Sequence, residues 1–280
     1  MTLEKAIKKV KPLDRNAMDI AQKRWDSIAK PLHSLGKLET LLIQIAGITG
    51  NAEIDLSKRG LIAMCADNGV VEEGVTQTGQ EVTAIVAENF LNYDTSVGVM
   101  CKQNHAEIFP VDMGMITDTK VRTDHKVAYG TKNMTKGPAM TREQAVKGIE
   151  SGIAMVEELK WKGYKILATG EMGIGNTTTS SAVASVLLNQ PVEEMTGRGA
   201  GLTSEGLARK IGAIRKAIKL NQPDPSDAVD VLAKVGGLDI AGMAGVFLGG
   251  AIYGIPVVMD GFISCVSALI AMQICPAAGD

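Results

Sequence analysis

The sequence of 280 residues predicts an α/β fold in which helices cover both faces of a doubly wound, mostly parallel sheet. Short apolar runs alternate with stretches of helical periodicity, which is typical of parallel strands joined by helices. Hydrophobic residues make up 45% of the chain and 31 residues are glycine, as a buried sheet with closely packed helices requires. Several apolar runs also end in clusters of carboxylates and glycines, as expected at the carboxyl edge of such a sheet. The predicted domain is Rossmann-like, with a small helical appendage at the N-terminus.

The first 30 residues alternate charged and apolar positions at helical spacing, and they predict one or two amphipathic helices outside the sheet. We assign residues 1–30 to a helical segment of a small domain and residues 31–280 to a large nucleotide-binding α/β domain. Another amphipathic helix is predicted over Lys37–Ile48, directly after Gly36.

Four apolar runs predict strands, and three periodic stretches predict helices between them. The strands are expected at Leu61–Ala66, Ala106–Val111, Lys165–Ala168 and Ile255–Met259. The helices are expected at Val82–Leu91, Thr141–Leu159 and Ser204–Leu220. A carboxylate stands near the end of each strand, so we expect four of them to share one cleft: Asp67, Asp112, Glu171 and Asp260.

Composition excludes several classes of function. A net charge of −2 gives no broad attraction to nucleic acid or to anionic lipid. The four cysteines form no CxxC pair and there are only three histidines, so no metal site is predicted and reduced thiols in a cytoplasm are expected. The uncharged stretch Ile240–Met259 is long enough to span a membrane, but it contains five glycines and Pro256. We interpret it as a helix, a turn at Tyr253-Gly254 and a buried strand.

The segment KILATGEMGIGNTTTSS, residues 165–181, predicts a strand, a glycine loop and the start of a helix. Glycines let backbone N–H groups approach a ligand, and the helix N-terminus adds unpaired donors and a positive dipole end. This pattern favours a phosphate site, although it is neither a P-loop nor a GxGxxG fingerprint. Glu171 would face a sugar hydroxyl or a developing cation. The alternative at this point is a Ser/Thr-rich helix cap.

Three further loops are candidates for binding. Asp67–Glu81 is long, polar and glycine-rich, which is typical of a lid or a specificity loop. Arg122–Met140 is basic and would either approach an anion or form a solvated loop. Thr196–Gly201 is a glycine turn before the helix that bears Lys210, which would be either a counter-charge for phosphate or an ordinary surface lysine.

Several motifs together resemble the nicotinate-nucleotide:dimethylbenzimidazole phosphoribosyltransferase family, from about Leu32 to the last residue. They are GEMGIGNTT at 170–178, ADNGVVEEGV at 66–75, GPAM at 137–140, GGLDIAGMAG at 236–245 and VMDGFI at 258–263. The resemblance implies transfer of the phosphoribosyl group of nicotinate mononucleotide to an aromatic base. The products would be nicotinate and an α-ribotide for the lower ligand of cobamides. It also implies a homodimer or a heterodimer with a related subunit.

By this resemblance Glu171 is the catalytic residue, placed against the ribose and the reaction centre. The phosphate and ribose would be held by Gly173, Ile174, Gly175, Asn176, Thr177 and Lys210. The acceptor, a benzimidazole, purine or phenol, is predicted to contact Asp67, Asn68, Thr76, Gln77, Gln80, Asp239 and Asp260. Nicotinate leaves as a neutral pyridine nitrogen, so the chemistry requires no general acid, no metal and no cofactor.

The sequence departs from the family pattern in two places. A glycine-flanked glutamate in an LGEGTGA-like segment is the general base expected in the family, and the sequence ends at Asp280 before such a segment. A non-catalytic or partner-dependent nucleotide-binding subunit is therefore the alternative function. Asp67-Asn68-Gly69 and Thr76–Gly79 also replace the Asp-His-Gly and Ser-aromatic-Pro of the family, so the acceptor stays open.

Overall fold

A computed structural model describes all 280 residues and contains a four-stranded, entirely parallel sheet. The strands are β1 (Arg59–Ala66), β2 (Ala106–Gly114), β3 (Ile166–Met172) and β4 (Val257–Val258), in the order β2-β1-β3-β4. The predicted doubly wound α/β fold is confirmed, since helices cover both faces of this sheet. β2 and β3 extend past the predicted ends because backbone pairing continues through Asp112 and Glu171. β4 is shorter than predicted.

Twelve α-helices surround the sheet. They are α1 (Leu3–Ile7), α2 (Arg15–Ser27), α3 (Lys37–Thr49), α4 (Glu81–Asn92), α5 (Ser96–Gln103), α6 (Arg142–Trp161), α7 (Asn176–Leu187), α8 (Val192–Met195), α9 (Ser204–Asn221), α10 (Ala228–Val235), α11 (Leu238–Tyr253) and α12 (Phe262–Ile274). Two 3₁₀ helices lie at Gly69–Glu73 and Pro276–Gly279. The predicted helices correspond to α1 to α4, α6, α9 and α11, within a few residues at each end, and α7 begins where the sequence predicts a helix start after the glycine loop.

The side chains of β1 alternate between two hydrophobic cores, as the period of two in a strand requires. Ile62 and Met64 belong to the larger core, which includes residues of α6, α10 and α11. Ala63 and Cys65 belong to a smaller core with residues of α4 and α5. Because both faces of the strand are buried, the run is apolar throughout and shows no alternation in sequence.

The helices α6 and α11 pack backbone against backbone. A Cβ atom at Gly152 would overlap Gly242 O and lie 2.8 Å from Gly245 Cα, and one at Gly245 would overlap Ile149 O. Only glycine allows this approach, so the high glycine content has a packing cause at this contact. The contact fixes α11 closely against α6, and α11 carries Asp239 on its first turn.

The N-terminal helices divide between two environments. Leu3 and Ala6 of α1 are part of the larger core. Ala17 and Ala21 of α2 pack instead on Ala46 of α3 in a cluster of their own. The pair α2–α3 therefore spans the predicted boundary at residue 30, and the division into two domains remains a prediction.

No helix combines the length and the apolar character that crossing a membrane would take. The stretch Ile240–Met259 forms most of α11, a left-handed turn at Gly254 and the short strand β4, as the sequence predicts.

Candidate active site

Glu171 and the N-terminus of α7 meet at the carboxyl edge of the sheet. Glu171 is the penultimate residue of β3 and pairs in register with Met64 of β1. Shortly after it Asn176 begins α7, so strand, glycine loop and helix follow directly on one another. Asn68, just beyond the end of β1, joins them, since its side-chain amide donates to Ile174 O at 3.5 Å. The edge of the parallel sheet therefore carries a group of polar side chains, here called the cleft, at the place where this fold class binds ligands.

One amide group holds two carboxylates in this cleft. Asn176 Nδ2 donates to Asp239 Oδ2 at 2.9 Å and also donates a short hydrogen bond to Glu171 Oε2. Asp239 is fully buried, and its other oxygen accepts from the backbone N–H of Ile240 at 3.0 Å. Glu171 is only half-buried. The more accessible carboxylate is thus supported by a buried amide and a buried carboxylate behind it.

Burial changes the acidity of both carboxylates. It raises the pKa of Glu171 to about 7, and the negative charge of Asp239 contributes to the same shift. It also raises the pKa of Asp239 to about 6, against the opposing effect of the hydrogen bond from Asn176. Glu171 therefore changes protonation state close to neutral pH, which is typical of carboxylates that take part in reactions.

The other end of the cleft carries a buried cation without a counter-ion. Lys210 is 1% exposed, and no carboxylate lies within ion-pair distance of its ammonium. Nζ donates instead to Thr177 Oγ1 at 2.8 Å and to Gly197 O at 3.2 Å. Desolvation lowers its pKa to about 8. Lys210 thus points into the fold at the first turn of α7 and is not a surface lysine.

Two backbone donors near Lys210 are unused. The N–H groups of Gly175 and Thr177 have no acceptor in the protein, as expected at a helix N-terminus. Lys210 donates to the side chain of Thr177, and a helix N-terminus beside a cation is the kind of place where proteins bind anions. Ile174 and Asn176, also predicted to hold phosphate, have their donors occupied. Ile174 N donates to Thr83 Oγ1 at 3.2 Å, and the amide of Asn176 faces carboxylates.

The two glycines of the loop are required by the protein itself. Gly175 has a φ of +95°, and a Cβ atom there would lie 2.9 Å from Val71 Cγ2. A Cβ atom at Gly173 would overlap the carboxylate of Asp239 and lie 2.7 Å from Ala66 O. The sequence suggested that these glycines leave room for a ligand; the structure shows that they leave room for neighbouring residues.

Five of the seven predicted acceptor residues fall into three groups. Gln80 lies at the cleft beside Asn68, which is fully buried, and Gln80 Nε2 donates to Asn68 O at 3.1 Å. Thr76 and Gln77 lie further along the same loop, and both side chains donate to backbone oxygens, of Thr78 and Gly201 respectively. Asp239 is buried behind Asn176, and therefore it supports the cleft without lining it.

The four strand-end carboxylates do not all share one cleft. Asp260 is exposed, and its charge helps to raise the pKa of Glu171. Asp67 and Asp112 are both fully buried in a separate cluster: Asp67 Oδ2 accepts from Ile116 N, and Asp112 forms an ion pair of 3.1 Å with Lys126. The prediction of one shared site is wrong for Asp112, because β2 lies on the far side of β1 from β3. Asp67 follows β1, next to β3, but its carboxylate is fully buried and accepts from the segment after β2.

The basic loop Arg122–Met140 is largely neutralised by its own neighbours. Arg122 pairs with Asp124 and with Glu158 on α6, and Lys136 pairs with Glu72 at 2.6 Å. Of the two alternatives in the sequence, the structure supports the one without an anion. Thr83 contacts the glycine loop, and no pattern in the sequence distinguishes it. Gly197, which contacts Lys210, lies in the glycine turn that the sequence had singled out.

A doubly wound α/β fold with a buried cation at a helix N-terminus and a carboxylate of near-neutral pKa at the same sheet edge is typical of proteins that bind phosphorylated sugars or nucleotides. Comparison with known families narrows this class. A family model described as phosphoribosyltransferase, DBI_PRT, matches residues 10–280, and the chain belongs to this family. The predicted family and the predicted type of enzyme are confirmed.

Individual relatives carry a more detailed name. Proteins named nicotinate-nucleotide–dimethylbenzimidazole phosphoribosyltransferase are 52% identical in Ruminiclostridium cellulolyticum and 50% identical in Clostridium acetobutylicum. Each similarity covers 99% of this chain and 79% of the relative. The crystal structure of CobT from Thermus thermophilus is 33% identical and superimposes with a TM-score of 0.87, over 94% of this chain and 80% of that one.

Proposed function

We propose that the chain transfers the phosphoribosyl group of nicotinate mononucleotide to an aromatic base, releasing nicotinate and forming an α-ribotide for the lower ligand of cobamides. The buried, unpaired ammonium of Lys210 is the observation that carries the proposal. Placing a cation in the interior without a counter-ion is costly, and a ligand phosphate would supply the missing charge. The names of the relatives support the choice of both substrates.

The phosphate is held at the start of α7. The N–H groups of Gly175 and Thr177 donate to its oxygens, and Lys210 supplies the positive charge. The ribose then extends from α7 towards Glu171. This carboxylate precedes α7 by a few residues and accepts a hydrogen bond from Asn176, the first residue of α7. This orientation brings C1′ to the carboxylate end of the cleft.

Glu171 acts on the sugar as an anion. When the bond between C1′ and the pyridinium nitrogen breaks, the ribose gains positive charge, and a fixed carboxylate in a partly dry cleft stabilises that charge. Nicotinate leaves with a neutral ring nitrogen and needs no proton. Attack from the opposite face inverts the anomeric centre and gives the α-ribotide. The incoming base loses its N–H proton as its ring nitrogen forms the bond to C1′, and water takes up that proton.

The acceptor lies on the side of Asn68 and Gln80. Both side chains carry amides, which can donate to or accept from ring nitrogens of a benzimidazole or a purine. We propose dimethylbenzimidazole as the acceptor because the relatives carry that name. The pairing of two copies into a dimer and a cytoplasmic location are also proposals.

The test is to incubate the purified protein with nicotinate mononucleotide and a panel of benzimidazoles, purines and phenols. Mass spectrometry detects nicotinate and new ribotides. We expect nicotinate release that depends on the acceptor, with a benzimidazole ribotide as the main product. Nucleotide binding by calorimetry without any product would favour the alternative of a non-catalytic or partner-dependent subunit, and would contradict the proposal.

A further inference from the structure

Two loops lie next to the cleft. The acceptor loop, residues 68–80, follows β1 and contains the first 3₁₀ helix. The phosphate turn, residues 196–202, lies between α8 and α9. The phosphate turn rests directly on the anion site, since Gly197 O accepts from Lys210 Nζ and a Cβ atom at Gly199 would lie 3.0 Å from Thr177 Oγ1. A ligand that binds Lys210 must therefore act on this turn.

The phosphate turn has a defined shape of its own. Arg198 Nη1 donates to Leu202 O at 2.8 Å, and Arg198 O accepts from the N–H of Gly201 and of Leu202. Leu202 is buried, whereas residues 197–201 are exposed. The turn is thus anchored at its base and closed by its own hydrogen bonds, and its tip is free to respond to a ligand beneath it.

A single side chain joins this tip to the acceptor loop. Gln77 Nε2 donates to Gly201 O at 2.6 Å, across 124 positions of sequence. The only other hydrogen bond between the acceptor loop and this region is a long one, from Arg209 Nε on α9 to Gly74 O at 3.4 Å. Gln77 is itself exposed, so neither core packing nor burial holds it there.

We infer that Gln77 is a positioning residue that transmits occupancy of the phosphate site to the acceptor loop. The inference rests on the proposed function and deepens it. A nucleotide phosphate on Lys210 and Thr177 orders the phosphate turn, and the turn then holds the acceptor loop through Gly201 O. The same loop presents Asn68 and Gln80 to the acceptor, so nucleotide binding prepares the acceptor site.

This assignment changes the role that the sequence suggested for Gln77. The amide of Gln77 donates to a backbone oxygen and does not contact the acceptor. Gln77 therefore influences which acceptor binds only by positioning the acceptor loop. An exposed hydrogen bond between neutral groups changes an equilibrium by a modest factor, roughly 2- to 10-fold. Removing it should therefore weaken the coupling between the two loops without unfolding either one.

Hydrogen–deuterium exchange on the full chain measures the coupling without turnover. We compare peptides from the acceptor loop and from the phosphate turn, with and without saturating nicotinate mononucleotide. In the wild type we expect the nucleotide to slow exchange in both. In Gln77→Glu, which keeps the length of the side chain but cannot donate, we expect slowing in the phosphate turn only. Gln77→Lys provides a donor of similar reach. In this variant the nucleotide should again slow exchange of the acceptor loop, by roughly 2- to 10-fold.

Gln190→Glu is the matched control, because Gln190 is also exposed and donates to a nearby backbone oxygen, that of Leu188. It makes the same change of charge and should behave as the wild type. Equal protection of the acceptor loop in Gln77→Glu and wild type would overturn the inference, as would its loss in Gln190→Glu. Absence of any protection of the phosphate turn in the wild type would also overturn it. Failure to release nicotinate would instead overturn the proposed function.

Discussion

Glu171 and Asp239 accept hydrogen bonds from one amide nitrogen, Nδ2 of Asn176. The hydrogen bond from this amide stabilises the charged form of each carboxylate. Desolvation of both groups and their mutual repulsion destabilise the charged forms by more. Their raised pKa values follow from this arrangement. The chain thus holds a carboxylate near the point of protonation at the same edge of the sheet as the buried ammonium of Lys210.

The first prediction concerns the pH profile of the wild type. Glu171 must be ionised to stabilise positive charge on the ribose, and burial raises its pKa to about 7. Lys210 must be protonated to bind phosphate, and burial lowers its pKa to about 8. We therefore expect kcat/KM for nicotinate mononucleotide to fall below about pH 7 and above about pH 8. A profile that is flat between about pH 6 and pH 9 would contradict both assignments.

Asp239→Asn should move the acid limb of that profile. The substitution removes a negative charge that raises the pKa of Glu171, so Glu171 should ionise at lower pH. Steady-state kinetics over a pH series measures the limb. We expect it to shift by about one unit towards lower pH, and no shift would show that the two carboxylates do not interact as described. Asp260→Asn, which changes an exposed and weaker contributor, is the control.

The same variant should change how stability depends on pH. The pKa of Asp239 is raised in the folded state, so its contribution to stability is present at pH values below its unfolded pKa and is lost as pH rises through about 6. We measure the free energy of unfolding in urea at about pH 5 and about pH 8. Between these two pH values the wild type should lose roughly 1 kcal/mol more of this free energy than Asp239→Asn loses. Equal losses in the two proteins would contradict the raised pKa.

Glu171→Gln should separate catalysis from binding. Glutamine keeps the shape of the side chain but carries no charge, so it should lower kcat by about 100-fold or more and change nucleotide affinity by less than about 3-fold. Turnover assays and calorimetry give the two quantities. Glu53→Gln, at an exposed residue that pairs with Arg24 of α2, is the control. An equal loss of turnover and nucleotide affinity would contradict the assignment of Glu171 to the reaction centre.

Lys210→Met should weaken nucleotide binding without weakening the fold. Methionine fills most of the space of the lysine stem, and the buried charge that it removes has no counter-ion in the protein. We expect the Kd for nicotinate mononucleotide to rise by roughly 10- to 100-fold, and the unfolding temperature to stay the same or rise. Lys219→Met on the exposed end of the same helix is the matched control. Unchanged affinity in Lys210→Met would rule out the anion site.

Gly173→Ala and Gly197→Ala should differ in stability although both are loop glycines. A methyl group at Gly173 would meet the carboxylate of Asp239 and Ala66 O, whereas one at Gly197 would meet nothing within 4 Å. Overpacking of this kind costs about 1 to 3 kcal/mol, so thermal unfolding should separate the two variants clearly. A stable Gly173→Ala variant would show that the loop can move away from Asp239.

The sequence predicted more of the fold than of the candidate site. Apolar runs located all four strands, because a strand buried on both faces leaves a strong local signal. Two predicted strands ended before Asp112 and Glu171, although both residues belong to the sheet. Polar residues at the sheet edge remain paired by backbone hydrogen bonds, and the apolar runs do not include them. Helix α12 was missed because its sequence, FISCVSALIAMQI, is apolar at most positions and shows no clear helical periodicity.

Contacts between distant segments account for most of what the sequence left open at the site. The burial of Lys210 depends on how α9 packs on α7, and the helical pattern alone allows either a buried or a surface lysine. The bond from Gln77 to Gly201 joins two loops with no local signature. Glu171 and Asn176, by contrast, lie five positions apart on one loop, and their proximity follows from the motif itself.

The glycine contact between α6 and α11 has a consequence for how this chain tolerates change. Asp239 lies about two helical turns from Gly245 along α11, so a methyl group at Gly245 would push the whole helix outward and carry that carboxylate with it. In a library of variants screened for growth, such a residue would look essential although it touches no substrate. A homologue that lost this glycine would keep a recognisable fold while its working pH drifted away from that of its relatives.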